Sequence, residues 1–221
     1  MNYKYEIVKN KILDLLYPQK CNICGKLGSI ICDKCYKELL EYKIDYLDHN
    51  KYSLFRYDGL VRNLILDYKF RDFSYLHDLF SICLFNSQKA YNFLNLYDII
   101  MPAPIHKKRK QERGFNQTEL IAKDLVLLRY LKDNRLSLLL DSKTLVKVLN
   151  TKPQNELSGA ERLINLKGAF EVKSEKNIDN KKVLLIDDVY TTGSTFNECR
   201  KTLINAGAKE VGIITIAKSM I

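Results

Sequence analysis

The sequence predicts an α/β fold, a parallel sheet flanked by helices, with a small cysteine-stapled domain in front of it. Three observations predict this. Apolar strands, among them "YDIIMPAPI", "VLLIDD" and "VGIITIA", alternate with segments of helical period, as in sheets covered on both faces. "VLLIDD", a helix from Ser194 to Ala206 closed by Gly207, and "VGIITIA" make a βαβ unit. Four of the six cysteines stand in two tight pairs, Cys21/Cys24 and Cys32/Cys35, in a segment too short for a core of its own.

Taken in order, residues 5–16 place Ile7, Val8, Ile12, Leu15 and Leu16 at helical spacing, ended by Pro18. The cysteine module follows to about residue 48. "SLFRY" is a strand, "DG" a turn and "LVRNLILDYKF" a helix. More helix is expected over 75–94. "YDIIMPAPI" is a buried strand running into a Pro-x-Pro loop, and a basic loop comes next. Asn116 and Glu119 form a capping box ahead of Leu120, Ile121, Leu125 and Leu128. "TLVKVL" is a strand, and Ser158 with Glu161 makes a second capping box. The expected domains are 1–48, an N-terminal helix with the four-cysteine module, and 49–221, the α/β domain.

The chain has 221 residues, 46% hydrophobic and 28% charged. These proportions exclude a long disordered or collagen-like chain. No apolar run reaches the ~20 residues of a membrane helix, so no membrane insertion is expected. The first twenty residues carry Glu6 and Asp14 and lack a small-residue cleavage site, unlike a signal peptide. A cytoplasmic protein is the expectation. The net charge is +10, and residues 101–150 hold 11 basic against 5 acidic side chains, +6 of that surplus. This local excess suggests an anion-facing surface, whereas the global one also fits a Lys-rich composition bias.

In a chain without an export signal, two C-x2-C pairs point to metal rather than disulfides. Cys21, Cys24, Cys32 and Cys35 offer four thiolates, the closed set that structural zinc prefers; an iron–sulfur cluster is the other option. Gly25 relieves the turn after the first pair. Cys83 and Cys199 lie among apolar helical residues and read as small core hydrophobes.

The strongest functional signal is "VLLIDDVYTTGST", residues 183–195. A buried strand ends in Asp187 and Asp188, and the turn Val189, Tyr190, Thr191, Thr192, Gly193 leads into a helix at Ser194 and Thr195. Ligands of open parallel sheets bind at the carboxyl ends of strands. A helix N-terminus presents unpaired N–H groups to phosphate, and Gly193 permits close backbone approach. Carboxylates this close would repel a phosphate but accept well from hydroxyls. A ribose 5-phosphate end satisfies both halves.

This stretch resembles the phosphoribosyl-pyrophosphate (PRPP) signature of type I phosphoribosyltransferases. The resemblance widens to the ComF (GntX-like) family of late competence and DNA uptake through "LDLLYPQKCNICGK", "PAPIHKKRKQERGFNQTEL", "PQNELSGAERLINLKGAFEV" and "AGAKEVGIITIAKS". It implies a type I phosphoribosyltransferase-like domain behind a zinc-ribbon-like module. Asp187 and Asp188 would hold the ribose 2- and 3-hydroxyls, and Thr191 to Thr195 the 5-phosphate. Pro102, Ala103 and Pro104 stand where such enzymes hold pyrophosphate, and Mg2+ accompanies PRPP. Lys147 replaces the arginine that ComF-like sequences often carry, which leaves only a monodentate cation there.

The segment "HKKRKQER" carries Lys107, Lys108, Arg109, Lys110 and Arg113. These could neutralise pyrophosphate, contact nucleic-acid phosphates, or be a solvated surface. His106 reads as a loop residue, and Phe115 is the one aromatic in the loop. Arg62 and Lys69 are helix-surface charges by default, although Lys69, at the helix end, could reach the site. Two functions follow. One, which the family resemblance implies, is a PRPP-binding accessory protein of competence, working with single-stranded DNA and a helicase; the chain itself has no G-x-x-x-x-G-K-[ST] motor loop. The other is an active phosphoribosyltransferase that joins ribose 5-phosphate to a nucleobase-like acceptor.

Overall fold

The computed structural model describes residues 20–29, 31–70, 75–134, 138–151 and 166–220. The helix expected over 5–16 and the Ser158/Glu161 capping box lie outside them. The chain divides into two compact units, Met1–Glu41 and Tyr42–Ile221.

In the first unit a tight knuckle carries the first cysteine pair. Cys21 N–H donates to Lys26 O (2.8 Å) and Gly25 N–H to Cys21 O (2.9 Å). Cys32 caps helix α1 (Asp33–Leu40), which bears Cys35.

The second unit is built on a six-stranded sheet. Its strands are β1 (Lys43–Asp48), β2 (Lys51–Arg56), β3 (Ile99–Pro102), β4 (Leu139–Leu140), β7 (Lys182–Tyr190) and β8 (Glu210–Lys218), in the spatial order β1-β2-β8-β7-β3-β4. Every neighbouring pair is parallel except β1 with β2. The expected parallel sheet flanked by helices is thus present, with an antiparallel hairpin added at one edge. Its turn is tied to the sheet by Asn50, whose side chain donates to Val211 O at 2.9 Å. The strand "TLVKVL" shortens to β5 (Leu145–Lys147), which leaves the main sheet and pairs antiparallel with β6 (Phe170–Val172).

Both faces of the central strands are buried, which is why their sequences are apolar without alternation. Val183 and Leu185 share a core with Phe196, Cys199 and Leu203 of helix α7 (Ser194–Asn205). Helix α6 (Gln117–Asp133) packs on β3 and β7, and its Ile121, Ala122 and Leu125 are fully buried. Helices α2 (Gly59–Phe70), α3 (Leu76–Asn86) and α4 (Gln88–Leu94) complete the layer elements before β3. The helical segment expected over 75–94 forms two helices, α3 and α4, parted at Ser87. Its extended backbone (ψ 116°) interrupts the turn, and its hydroxyl accepts from Ala90 N–H. The expected basic loop is instead a helix, α5 (Lys107–Arg113), capped by His106 Nδ1 and ended by Gly114 at φ 77°. Cys83 and Cys199 are both buried.

Helices α3 and α6 are joined by a polar clasp. His77 Nδ1 lies 2.6 Å from Asp124 Oδ2, and Ser81 Oγ donates to the same oxygen at 2.9 Å. The hydrogen bond to Asp124, with the charges of Asp124 and Asp78, raises the His77 pKa against the opposing effect of burial. The charged form therefore favours folding below the ordinary histidine value of about 6.5, and this contribution fades as pH rises through the higher folded value. In urea denaturation, the stability gap between wild type and His77→Ala should be widest below pH 6.5 and narrow towards pH 9. A gap independent of pH would sink this assignment.

Candidate functional site

Strand β7 runs between β3 and β8; β3 pairs with Val183 to Ile186, whereas β8 follows the strand on to Tyr190, so the acidic end projects past β3 and is held along its β8 edge. The last turns of the strand carry Asp187 and Asp188. Being adjacent on a strand, they point to opposite faces by the pleat. Both nevertheless line one cavity of about 470 Å³, together with Val189, Thr191 and Thr195. The β3 extension supplies Ala103 and Pro104 to the same cavity. Ala103 N–H donates to Ile186 O (2.8 Å), while Ala103 O accepts from Asn116 Nδ2 (3.2 Å) and Thr118 Oγ1 (3.3 Å). The Pro-x-Pro turn is thus pinned to the start of α6.

Between β7 and α7 the chain reverses at Gly193, with φ 75°. The phenol of Tyr190 occupies the place where a β-carbon of residue 193 would stand. Glycine is required there twice, by dihedral and by space. Thr192 Oγ1 and Ser194 Oγ hydrogen-bond each other at 2.7 Å. Tyr190, Thr192, Gly193 and Ser194 shape the turn rather than line the cavity, as does Pro102 at the end of β3.

Four cations converge on the cavity: Lys69 from the end of α2, Arg109 and Arg113 from α5, and Lys147 from β5. Helix α5 is two-sided. Arg109 and Arg113, one turn apart, are half-buried at the cavity, whereas Lys107, Lys108 and Lys110 are exposed. Lys110 pairs with Glu119 at 3.1 Å, so Glu119 does not close the capping box expected of it; Asn116 Oδ1 alone caps α6, accepting from Thr118 N–H at 3.2 Å. Arg113 Nη1 donates to Gln117 Oε1 at 3.1 Å. Lys69 Nζ sits 2.8 Å from Asp188 Oδ1, with side chains 21% and 13% exposed. That ion pair takes up part of Asp188's accepting capacity and makes Lys69 a wall of the site.

Electrostatics follow from this crowding. Burial, then the neighbouring Asp188 charge, push Asp187 up to about 7, against the pull of Lys69, the Asp188 N–H and Lys147. Burial and the charge of Arg109 lower both Lys147 and Arg113. Cations that disfavour one another around a cavity make a receptor for a polyanion.

Sequence reasoning did not anticipate Gln117 or Phe70. Gln117 is 2% exposed, and its Nε2 has no hydrogen-bond partner among the described residues. Its signal was the unusual run "RGFNQ", which the helix-cap reading absorbed only at Asn116.

In the first unit the four sulfurs of Cys21, Cys24, Cys32 and Cys35 all lie within 4.8 Å of one another. Cys24 Sγ and Cys32 Sγ are 3.7 Å apart, and the edge of a tetrahedron with ~2.3 Å metal–sulfur bonds is about 3.8 Å. Cys32 N–H approaches Cys21 Sγ at 3.4 Å. Burial opposes the Cys21 thiolate, yet the backbone N–H groups of Cys24, Cys32 and Ile23 bring it down to about 6. The cluster can hold a metal ion.

Residues 127–220 match the model of the phosphoribosyl transferase domain, so the larger unit carries a phosphoribosyltransferase-type domain. The chain is 30% identical over 207 residues to competence protein F of Haemophilus influenzae, covering 89% of this chain and 84% of that protein. It belongs to the ComF family. Competence protein ComFC of Bacillus subtilis is 28% identical over 206 residues (90% and 78% covered). DNA utilization protein YhgH of Escherichia coli K12 is 32% identical over 127 residues (58% and 52% covered).

Replacing Gly193 by alanine should destabilise the protein by about 1–3 kcal/mol, the usual cost of a strained left-handed residue, read from the urea midpoint. Restoring space with Tyr190→Ala in the Gly193→Ala background should recover part of that loss. No recovery would mean that the Tyr190 phenol does not press on the turn.

Proposed function

We propose that this protein binds PRPP with Mg2+ and serves as an accessory factor in DNA uptake and the handling of incoming single-stranded DNA. The observation that carries the reading is the shared cavity: two carboxylates at a rigid strand end, a glycine turn opening a helix, and four cations around them. Asp187 and Asp188 accept from the ribose hydroxyls. The turn from Thr191 to Thr195 receives the 5-phosphate. Arg109, Arg113 and Lys147, with Ala103 and Pro104, face the pyrophosphate. Bound Mg2+ would offset charge between the pyrophosphate oxygens and the sugar. The competence and DNA-utilization names of the relatives support the biological setting, and the exposed Lys107 and Lys108, with Lys110 beside them in its pair with Glu119, are the cations of α5 turned away from the cavity that could meet a nucleic-acid backbone. No described helix is long and apolar enough to cross a membrane. Four cysteines gathered as a possible metal site rather than as disulfide pairs are in keeping with action in the cytoplasm, where a helicase would supply the motor.

The same reading assigns zinc to the four cysteines, because a closed tetrathiolate set is what that ion prefers. Purified protein is expected to carry one zinc per chain by elemental analysis, and Cys21→Ser with Cys35→Ser to carry none. Iron in place of zinc would overturn the assignment.

PRPP with Mg2+ should raise the Tm of wild type, with ligand at a hundred times Kd contributing about 2.7 kcal/mol. Asp187→Asn/Asp188→Asn should show no shift. A shift preserved in the double variant would remove the diol contact from this account.

Asp187 accepts from a hydroxyl best when ionised, and its folded value lies near 7. Affinity for PRPP–Mg2+ should therefore fall as pH drops from 8 to 6, and calorimetry of Asp187→Asn should retain only the dependence due to the ligand's own ionisation. Equal pH profiles in the two proteins would refute the role given to this carboxylate.

A further inference from the structure

Beside the main cavity lies a second one of about 270 Å³, lined by Tyr68, Lys69, Phe70, Arg109, Glu112, Arg113 and Phe115. Its chemistry differs from that of its neighbour. It has neither the strand-end aspartates nor the hydroxyl turn, and its walls are three aromatic rings and three cations against one carboxylate. Phe70 is 64% exposed, an unusual placement for a large ring at the last position of a helix. The Arg113 guanidinium lies 5.2 Å from its ring centroid and donates to Gln117 Oε1. Across the cavity, Phe115 is fixed against Tyr68, with centroids 6.1 Å apart, and Tyr68 is itself anchored by donating to Gln117 O at 2.7 Å. Tyr68, Phe115 and Arg113 are therefore anchored by protein partners, and the exposed Phe70 ring is steadied by the Arg113 guanidinium.

Aromatic faces offer little to a sugar polyphosphate, whose binding energy is ionic and hydrogen-bonded. They serve a flat heteroaromatic ring, by stacking, while adjacent arginines take an attached phosphate; this pairing is the common chemistry of nucleotide and single-strand recognition. We propose that the second cavity is a nucleotide subsite: a nucleobase stacks on Phe70 and its phosphate is held by Arg109 and Arg113. The two cavities share Lys69, Phe70, Arg109 and Arg113, so the base-bearing ligand lies against the ligand of the main cavity. The inference shares Lys69, Arg109 and Arg113 with the PRPP reading but makes no use of Asp187 or the glycine turn, so the two can fail separately.

The test uses the full chain and ligands without a ribose diol. Thymidine 5′-monophosphate, an oligothymidylate of about ten nucleotides and the abasic 2-deoxyribose 5-phosphate are titrated calorimetrically. Wild type is compared with Phe70→Leu, Phe115→Leu and Asp187→Asn, which leaves the Lys69–Asp188 pair in place, each first checked for folding by circular dichroism. Phe70→Leu should weaken the thymidine ligand about tenfold, the order of one lost stack. The aspartate variant should bind it as wild type does, even if PRPP itself proves not to bind. The abasic sugar phosphate should bind far more weakly than the nucleotide. Binding of the oligonucleotide but not the monomer, still sensitive to Phe70→Leu, would support the subsite and identify a strand as its source. The proposal fails if Phe70→Leu and Phe115→Leu bind like wild type. It fails equally if the abasic compound matches the nucleotide, or if the aspartate variant abolishes binding.

Discussion

Strand β7 is paired to β3 only as far as Ile186 and to β8 as far as Tyr190, and it delivers two carboxylates past the end of β3 to a place that water reaches poorly. Much of the larger unit can be understood as a response to that placement. Adjacent anions at a half-buried strand end repel each other, and the structure meets the repulsion with Lys69 directly on Asp188 and with Lys147 nearby. The remaining imbalance leaves Asp187 poised near neutrality. A ligand that brings hydroxyls to these carboxylates and phosphates to the surrounding cations would relieve both strains together.

The cations come from three separate elements, and this explains several otherwise odd local features. Helix α5 is only seven residues long and has no buried residue, so it contributes nothing to a core. Its value lies in the helical period, which sends Arg109 and Arg113 inward and leaves the lysines outside. Gln117 fixes Arg113, and Asn116 and Thr118 fix the Pro-x-Pro turn, so the first residues of α6 organise both neighbouring segments. Burying a polar cluster of this kind is tolerable because nearly every member has a partner.

Much of this was legible in the sequence where the signal was local. The βαβ unit and the glycine turn were visible because each rests on contiguous residues whose chemistry is unambiguous. Less was legible where partners lie far apart in the chain. Lys69 and Asp188 are separated by 119 residues, and helix-surface charge was the reasonable default for that lysine. "TLVKVL" has the composition of a sheet strand, but composition does not say which sheet, and only pairing with Phe170–Val172 placed it outside the main one. The basic run was read as a loop because seven polar residues without an apolar stripe carry no amphipathic signal. The break at Ser87 was missed because apolar residues continue across it.

By itself the sequence determined the alternation of buried strands and helices, the position of the acidic strand end, the glycine that the turn requires and the four thiols that gather in one cluster. All of these depend on backbone preference or on spacing within a few residues. The tertiary structure alone decided which charges face one another, which arginines of α5 look inward, and that aromatic rings from α2 and from the segment before α6 enclose a second cavity. Contacts of this sort arise from long-range packing, in which loop-closing geometry and burial, rather than local propensity, choose the partners.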